Sequence, residues 1–169
     1  MEAIRCIMSR RSIRRYAKRR VPPASIRKML EAAMNAPSAC NQQAWQFLVI
    51  TDKERLEGLA DLHPYAQMLR QVSCAIVVCG DLRAEHCHGY WVQDCAAATQ
   101  NILLAAHALG LGSVWCGVHP RTARVKSIQR YLGLPTKVVP LSLIPVGYPQ
   151  ERPHPAKRYQ PSKVHQNRW

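Results

Sequence analysis

The chain has 169 residues, enough for one well-buried core and few for two, and its 47% hydrophobic and 20% charged content describes a single globular domain and excludes a disordered chain. The net charge of +14 is unevenly spread: residues 1–20 hold eight Lys or Arg against one acid, residues 151–169 hold five against one, and the body between them is nearly neutral. That distribution fits two termini converging on one anion better than a nucleic-acid-binding stripe. A stripe would also need base-stacking aromatics among its cations, and the basic ends offer only Tyr16, Tyr159 and Trp169.

Seven cysteines without a CxxC pair or a regular framework read as reduced residues of a cytoplasmic protein. His86-Cys87-His88 lacks a second half at ligand spacing, so no metal site is expected. Met1 to Ser9 has no long apolar core, and no signal peptide is expected there. The apolar run from Ala96 to Val118 is interrupted by Gln100, Asn101, His107, Gly110 and Gly112, so no membrane span is expected either.

Residues 2–9 have the pattern of a short helix and lead into a basic loop, 10–20, that opens with Arg10-Arg11-Ser12-Ile13-Arg14-Arg15-Tyr16. Four guanidinium forks and a hydroxyl in seven residues match the oxygens of a monophosphate; the alternative is a basic turn facing water. Pro22-Pro23 starts a helix with Ile26, Met29, Leu30 and Ala33 at helical spacing, ending near Asn35. An uncharged, amide-rich loop from Ala36 to Trp45 then runs into the apolar strand 47–50, the kind of loop that holds ligands. Asp52 caps a polar helix to about Leu62, and Pro64 to Arg70 adds a helical turn or two.

The apolar run Cys74 to Cys79 predicts a central strand covered on both faces. Tyr90 to Leu109 is an Ala-rich helix, apolar over most of its circumference, which in a chain this short points to a subunit interface. Gly110 and Gly112 end it; Gly-Leu-Gly here is no dinucleotide fingerprint, because that motif follows a strand and opens a helix. A strand over 113–118, a helix from Pro120 through Leu132 and a last strand over 138–146 follow, the last placed at an edge or in broken pairing by Pro140 and Pro145. A basic tail spans 147–169. Helices and strands mix without strict alternation, so the fold class is α+β.

Four stretches, in this order, resemble the nitroreductase family of flavin mononucleotide enzymes. They are Arg10 to Tyr16; Ala36-Pro37-Ser38 with Asn41-x-Gln43-x-Trp45; Asp94 to Leu109 with Gly110-Leu111-Gly112-Ser113-x-Trp115-Cys116-Gly117; and Gly147-x-Pro149-x-Glu151-x-Pro153 ending in Arg158. The resemblance covers almost the whole chain. It implies one domain, 1–169, with a central mixed or antiparallel sheet flanked by helices, in an intertwined homodimer with two flavins in the interface.

It further implies that Arg10, Arg11, Ser12 and Arg14 grip the flavin, with Arg14 nearest the pyrimidine edge, and that Arg158, aided by Lys157, is a second phosphate clamp. Pro37, Ser38, Ala39, Asn41 and Gln43 would approach the flavin of the other subunit, and Trp115, Cys116 and Gly117 would line one side of its ring. No side chain is assigned as catalytic. The implied activity is reduction of nitroaromatic, quinone or related small acceptors by NADH or NADPH through bound FMN, in alternating half-reactions. A flavin-binding redox sensor without turnover is the alternative. Ala44 stands where the family usually has Pro, the chain lacks the family's covering helical insertion, and Cys116 brings a thiol close to the ring, expected to be structural.

Overall fold

Eight consecutive buried residues, Cys74–Asp81, form the strand that organises the computed structural model, which describes residues 2–169. In chain order the elements are α1 (Ala3–Ser9), α2 (Pro23–Met34), a 3-10 turn (Ala39–Asn41), β1 (Trp45–Ile50), α3 (Lys53–Leu62), a second 3-10 turn (Gln67–Gln71) and β2 (Cys74–Asp81). Then come α4 (Trp91–Ala108), β3 (Gly112–Ser113), β4 (Cys116–Gly117), α5 (Thr122–Leu132), β5 (Val138–Gly147) and a short 3-10 turn in the tail. The sheet order is β1-β2-β5-β3, with β4 also on β5, and every named pair is antiparallel.

Alternation along β2 builds two cores. Cys74, Ile76 and Val78 face α2 and α4, where Met29, Cys95, Ala98 and Ile102 close the layer. Ala75, Val77 and Cys79 face the other way, against Leu59, Leu69 and Ile128 from α3, the second 3-10 turn and α5. A strand buried on both faces has no polar face to alternate, which is why its sequence is a continuous apolar run.

Three expectations are corrected, and of the two places offered for the last strand the structure takes broken pairing. β5 is not an edge strand: β2 flanks it on one side and β3 and β4 on the other. Its prolines are tolerated where pairing lapses, Pro140 at a register shift opposite Val78/Cys79 and Pro145 opposite the interval between β3 and β4. The strand expected over 113–118 is two short ones, because Val114 and Trp115 leave the ladder. α5 begins at Thr122 rather than Pro120. The cysteines are not all reduced: Cys40 and Cys87 are disulfide-bonded, while the other five are free and buried. α4 itself already buries Trp91, Cys95, Ala98, Ile102, Leu103 and Ala106 within its own chain, leaving Val92, Ala96, Ala97 and Ala105 half-covered.

Candidate functional site

Residues 10–17 run extended across one end of the sheet, where the two termini meet. The Ile13 amide donates to the Ser113 carbonyl (3.0 Å), the Ala17 amide to Tyr148 (2.9 Å), and the Gln150 amide to Arg15 (2.9 Å). This close approach requires glycine beneath it. Gly112 and Gly147 pair with each other across β3 and β5, and a Cβ on Gly112 would lie 2.8 Å from the Ile13 side chain, one on Gly147 2.8 Å from the Tyr16 ring. The Glu151 carboxylate accepts the amides of Arg14 and Arg15, tying the tail to the segment.

The cations at this end fall into different roles. Arg10 is partly buried, and its guanidinium pKa is pushed below the ordinary value by burial and by the neighbouring Arg158 and Arg11 charges. None of these three forms a salt bridge with a carboxylate among the described residues. Convergent charge without a counter-charge is costly in the free protein and is relieved by an anion. Arg11 is largely committed elsewhere, donating to the carbonyls of Met8 (3.0 Å), Arg10 (2.7 Å) and His154 (3.3 Å), so it splints the loop. Ser12 bridges Ser113. Lys157 and Arg158 lie on the exposed tail.

Beside the segment is a cavity of about 530 Å³. Val114 to Gly117 forms one wall, Pro64 to Met68 another, and Arg14 contributes the cation. Pro64, Tyr65, Gln67 and Met68 thus stand at the cavity. The Cys116 thiol is pushed up to about 11 by burial, against the opposing pull of Arg14 and Arg124, so it is neutral at physiological pH and fits a structural role. Cys116 and Gly117 spend backbone groups on β5, which leaves Val114 and Trp115 as the stretch free to meet a ligand through the backbone.

His63 was not foreseen and holds this wall. It is buried (1% exposed); its Nδ1 accepts from the Tyr65 amide (3.3 Å), so Nε2 carries the proton and donates to the Gly117 carbonyl (3.0 Å). Burial first, and then the Arg124 charge, lower its pKa. The unfolded chain takes up this proton near pH 6.5 while the folded chain resists it, so the contribution of His63 is complete above about pH 6.5 and is lost as pH falls toward the depressed native value. Thermal unfolding should therefore drop more between pH 7.5 and pH 5 in wild type than in His63→Gln; equal drops would refute the role. Its sequence signal, a His at a helix end before Pro64, is too common to single out.

Pro37, Ser38, Ala39, Asn41 and Gln43 lie at the opposite end of the sheet, beside the start of β1 and of α4. The loop carries three non-glycine residues in left-handed conformation, Cys40 (φ 50°), Asn41 (φ 53°) and Gln43 (φ 48°). Buried Asp94 pins it, accepting from the Ala39 amide (2.9 Å) and Gln42 Nε2 (2.6 Å). The Gln42 side-chain Oε1 in turn accepts from the amides of His86 (3.1 Å) and Cys87 (2.9 Å), which sets Cys87 against Cys40. These clamps do the stiffening that a proline at Ala44 would supply. Asp94 and Gln42 were legible only as a lone acid opening an apolar helix and one amide among several. One chain does not bring this loop to the Arg10 to Tyr16 segment.

An antiparallel sheet with helices on both faces, and a doubly basic end with a cavity beside it, define an α+β domain in which both termini meet at one end of the sheet. The nitroreductase family model matches residues 7–69 and 62–148. A protein of Methanothermobacter thermautotrophicus, provisionally named NADH dehydrogenase/NAD(P)H nitroreductase, is 46% identical over 100% of this chain and 88% of its own. A crystal structure under the same provisional name from Parabacteroides distasonis superposes with a TM-score of 0.95 at 40% identity, covering 99% of this chain and 98% of the other. An FMN-dependent nitroreductase from Clostridium difficile gives 0.91 at 32% identity, covering 98% and 99%. The chain belongs to the nitroreductase family.

Among the described residues no helix is long and apolar enough to cross a membrane, and no cluster of three His, Cys, Asp or Glu could hold a metal ion.

Proposed function

We propose that this chain is an FMN-dependent NAD(P)H oxidoreductase acting on nitroaromatic, quinone or related small acceptors. The observation that carries the reading is the mutual approach of Arg10 and Arg158 without a carboxylate partner, on the same basic segment whose Arg14 lines the Trp115 cavity. A phosphate monoester neutralises the first and a planar ring fits the second, so the residues present fit FMN. Arg10 and Ser12, with Arg158 and Lys157 from the tail, would hold the phosphate and its neighbouring hydroxyls; Arg14 would sit at the pyrimidine edge. When bound, the flavin supplies hydride acceptance and donation. Arg14 contributes a positive field that favours negative charge at that edge, and His63 keeps Gly117 and Tyr65 in place.

A homodimer completes the site in this reading. The loop with Pro37, Ser38, Ala39, Asn41 and Gln43 is far from the grip of its own chain and would reach the partner's. Two exposed features supply interface: the apolar row Ile4, Ile7 and Met8 on α1, and the tail, whose Val164 and Trp169 lie uncovered.

Anaerobic mixing with NADH or NADPH should bleach the flavin without an acceptor present, and steady-state rates should give the parallel double-reciprocal lines of two substrates alternating at one site. Failure of both nucleotides to bleach a flavin that dithionite does bleach would remove the oxidoreductase reading. A folded monomer carrying flavin, found by light scattering on dilution, would remove the shared site.

A further inference from the structure

Only the first half of the basic segment reaches the site just described. Arg15, Lys18, Arg19 and Arg20 instead line a separate open cleft of about 980 Å³, together with Lys53 and Arg70. Among the lining residues six are cations and none is acidic. Lys53 and Arg70 have salt-bridge partners in Glu57 and Asp61; the other four have none among the described residues. The cleft is nonetheless built on fixed backbone. The Tyr16 amide donates to Gln71 Oε1 (3.2 Å) and the Val21 amide to Ser73 Oγ (2.9 Å) on one wall, and Ala17 and Arg15 bond Tyr148 and Gln150 on the other. Arg19 is posed as well, its guanidinium carbon 3.8 Å from the centre of the Tyr148 ring, which leaves the edge N–H groups facing outward.

The cleft and the flavin cavity are lined by neighbouring residues of the same two segments. Arg14 lines the cavity and Arg15 the cleft; Gln67 and Met68 line the cavity and Arg70 and Gln71, in the same 3-10 turn, the cleft. A molecule with a planar ring in one and phosphates in the other would cross the basic segment between Arg14 and Arg15.

We infer that this cleft receives the adenosine phosphates of the reductant and selects NADPH over NADH through the 2′-phosphate. The inference rests on the proposed oxidoreductase reading and names its reductant. The 2′-phosphate is a terminal monoester with two charges, the group that an arginine fork recognises and the one NADH lacks. A flat guanidinium on Tyr148 offers both a stacking surface for adenine and a donor edge for that phosphate. No Gly-rich strand-to-helix turn is present to hold phosphates through backbone amides, so side-chain charge carries the recognition and binding weakens with salt.

The test uses the FMN-loaded protein and two probes, 2′,5′-ADP and 5′-AMP, titrated calorimetrically. The first is expected to bind at least about tenfold more tightly, the size of one charge-assisted hydrogen bond. Arg19→Ala/Arg20→Ala should abolish the difference and lower the NADPH-over-NADH preference in anaerobic flavin bleaching about tenfold, with the flavin-to-protein ratio unchanged. Lys18→Glu, at an exposed position, should act in the same direction and guards against misfolding of the double variant. Equal affinity for the two probes, or an unaltered NADPH-to-NADH ratio in both variants, overturns the inference. So does a DNA duplex that binds more tightly than 2′,5′-ADP and is lost in the same variants. A protein without flavin fails the earlier reading; one that holds flavin and is bleached equally by both nucleotides fails this one alone.

Discussion

The double variant Arg10→Ala/Arg158→Ala is expected to elute from gel filtration with little bound flavin, its affinity lowered about a hundredfold or more. Each charge-assisted hydrogen bond to the phosphate contributes roughly 1.5–3 kcal/mol, and two of them amount to at least two powers of ten in the dissociation constant. The flavin-free protein should respond in the opposite sense. Arg10 is partly buried and repelled by Arg158, so removing both cations relieves repulsion, and the melting temperature of the apoprotein should hold or rise. Loss of flavin together with a marked fall in apoprotein melting temperature would identify a folding defect. Full flavin occupancy would show that the basic ends meet only water.

Tyr16→Ala is expected to cost about 3–5 kcal/mol, the range for deleting a buried aromatic side chain, which in a chain of this size lowers the melting temperature by roughly 10 °C. Tyr16 is 2% exposed, its ring lies on Gly147, and its hydroxyl donates to the Ile13 carbonyl three residues back. The ring therefore anchors the middle of the extended segment, with Ser12 and Arg14 ahead of it. Removing the ring should also loosen flavin retention, whereas Tyr16→Phe should cost only about 1 kcal/mol and keep the flavin. Unfolding of Tyr16→Ala within a degree or two of wild type would refute the anchor.

The elements most legible in the sequence were those whose pattern is local. β2 announces itself as an unbroken apolar run, and α3 by its cap, since Asp52 Oδ1 accepts the Arg55 amide (2.9 Å). For β5 the prolines left an edge and broken pairing both open, because proline marks a missing donor and not a missing neighbour: Pro140 and Pro145 sit where the ladder is interrupted. The break between Ser113 and Cys116 was invisible for a related reason, as both halves pair with one distant strand and only that strand's spacing shows the gap.

At the site, the convergence of both termini was readable from charge alone. The division of the basic segment at Arg14 and Arg15 was not, because it depends on which side of an extended backbone each side chain leaves. The Cys40–Cys87 bond eluded spacing arguments because 47 residues separate the two, and the contact is arranged by Gln42 and Asp94.

The position of β5 has a consequence for how the chain is made. It follows the other four named strands in the chain and is the one that joins the sheet, with β2 on one flank and β3 and β4 on the other. Until residues 138–147 emerge, β1 and β2 can only form a two-stranded ribbon with the apolar edge of β2 open, and β3 and β4 have no partner. Such an edge is a template for pairing with other nascent chains. Truncation into β5 should therefore yield aggregates instead of a smaller soluble domain, and during synthesis the sheet closes only after residues 138–147 have emerged.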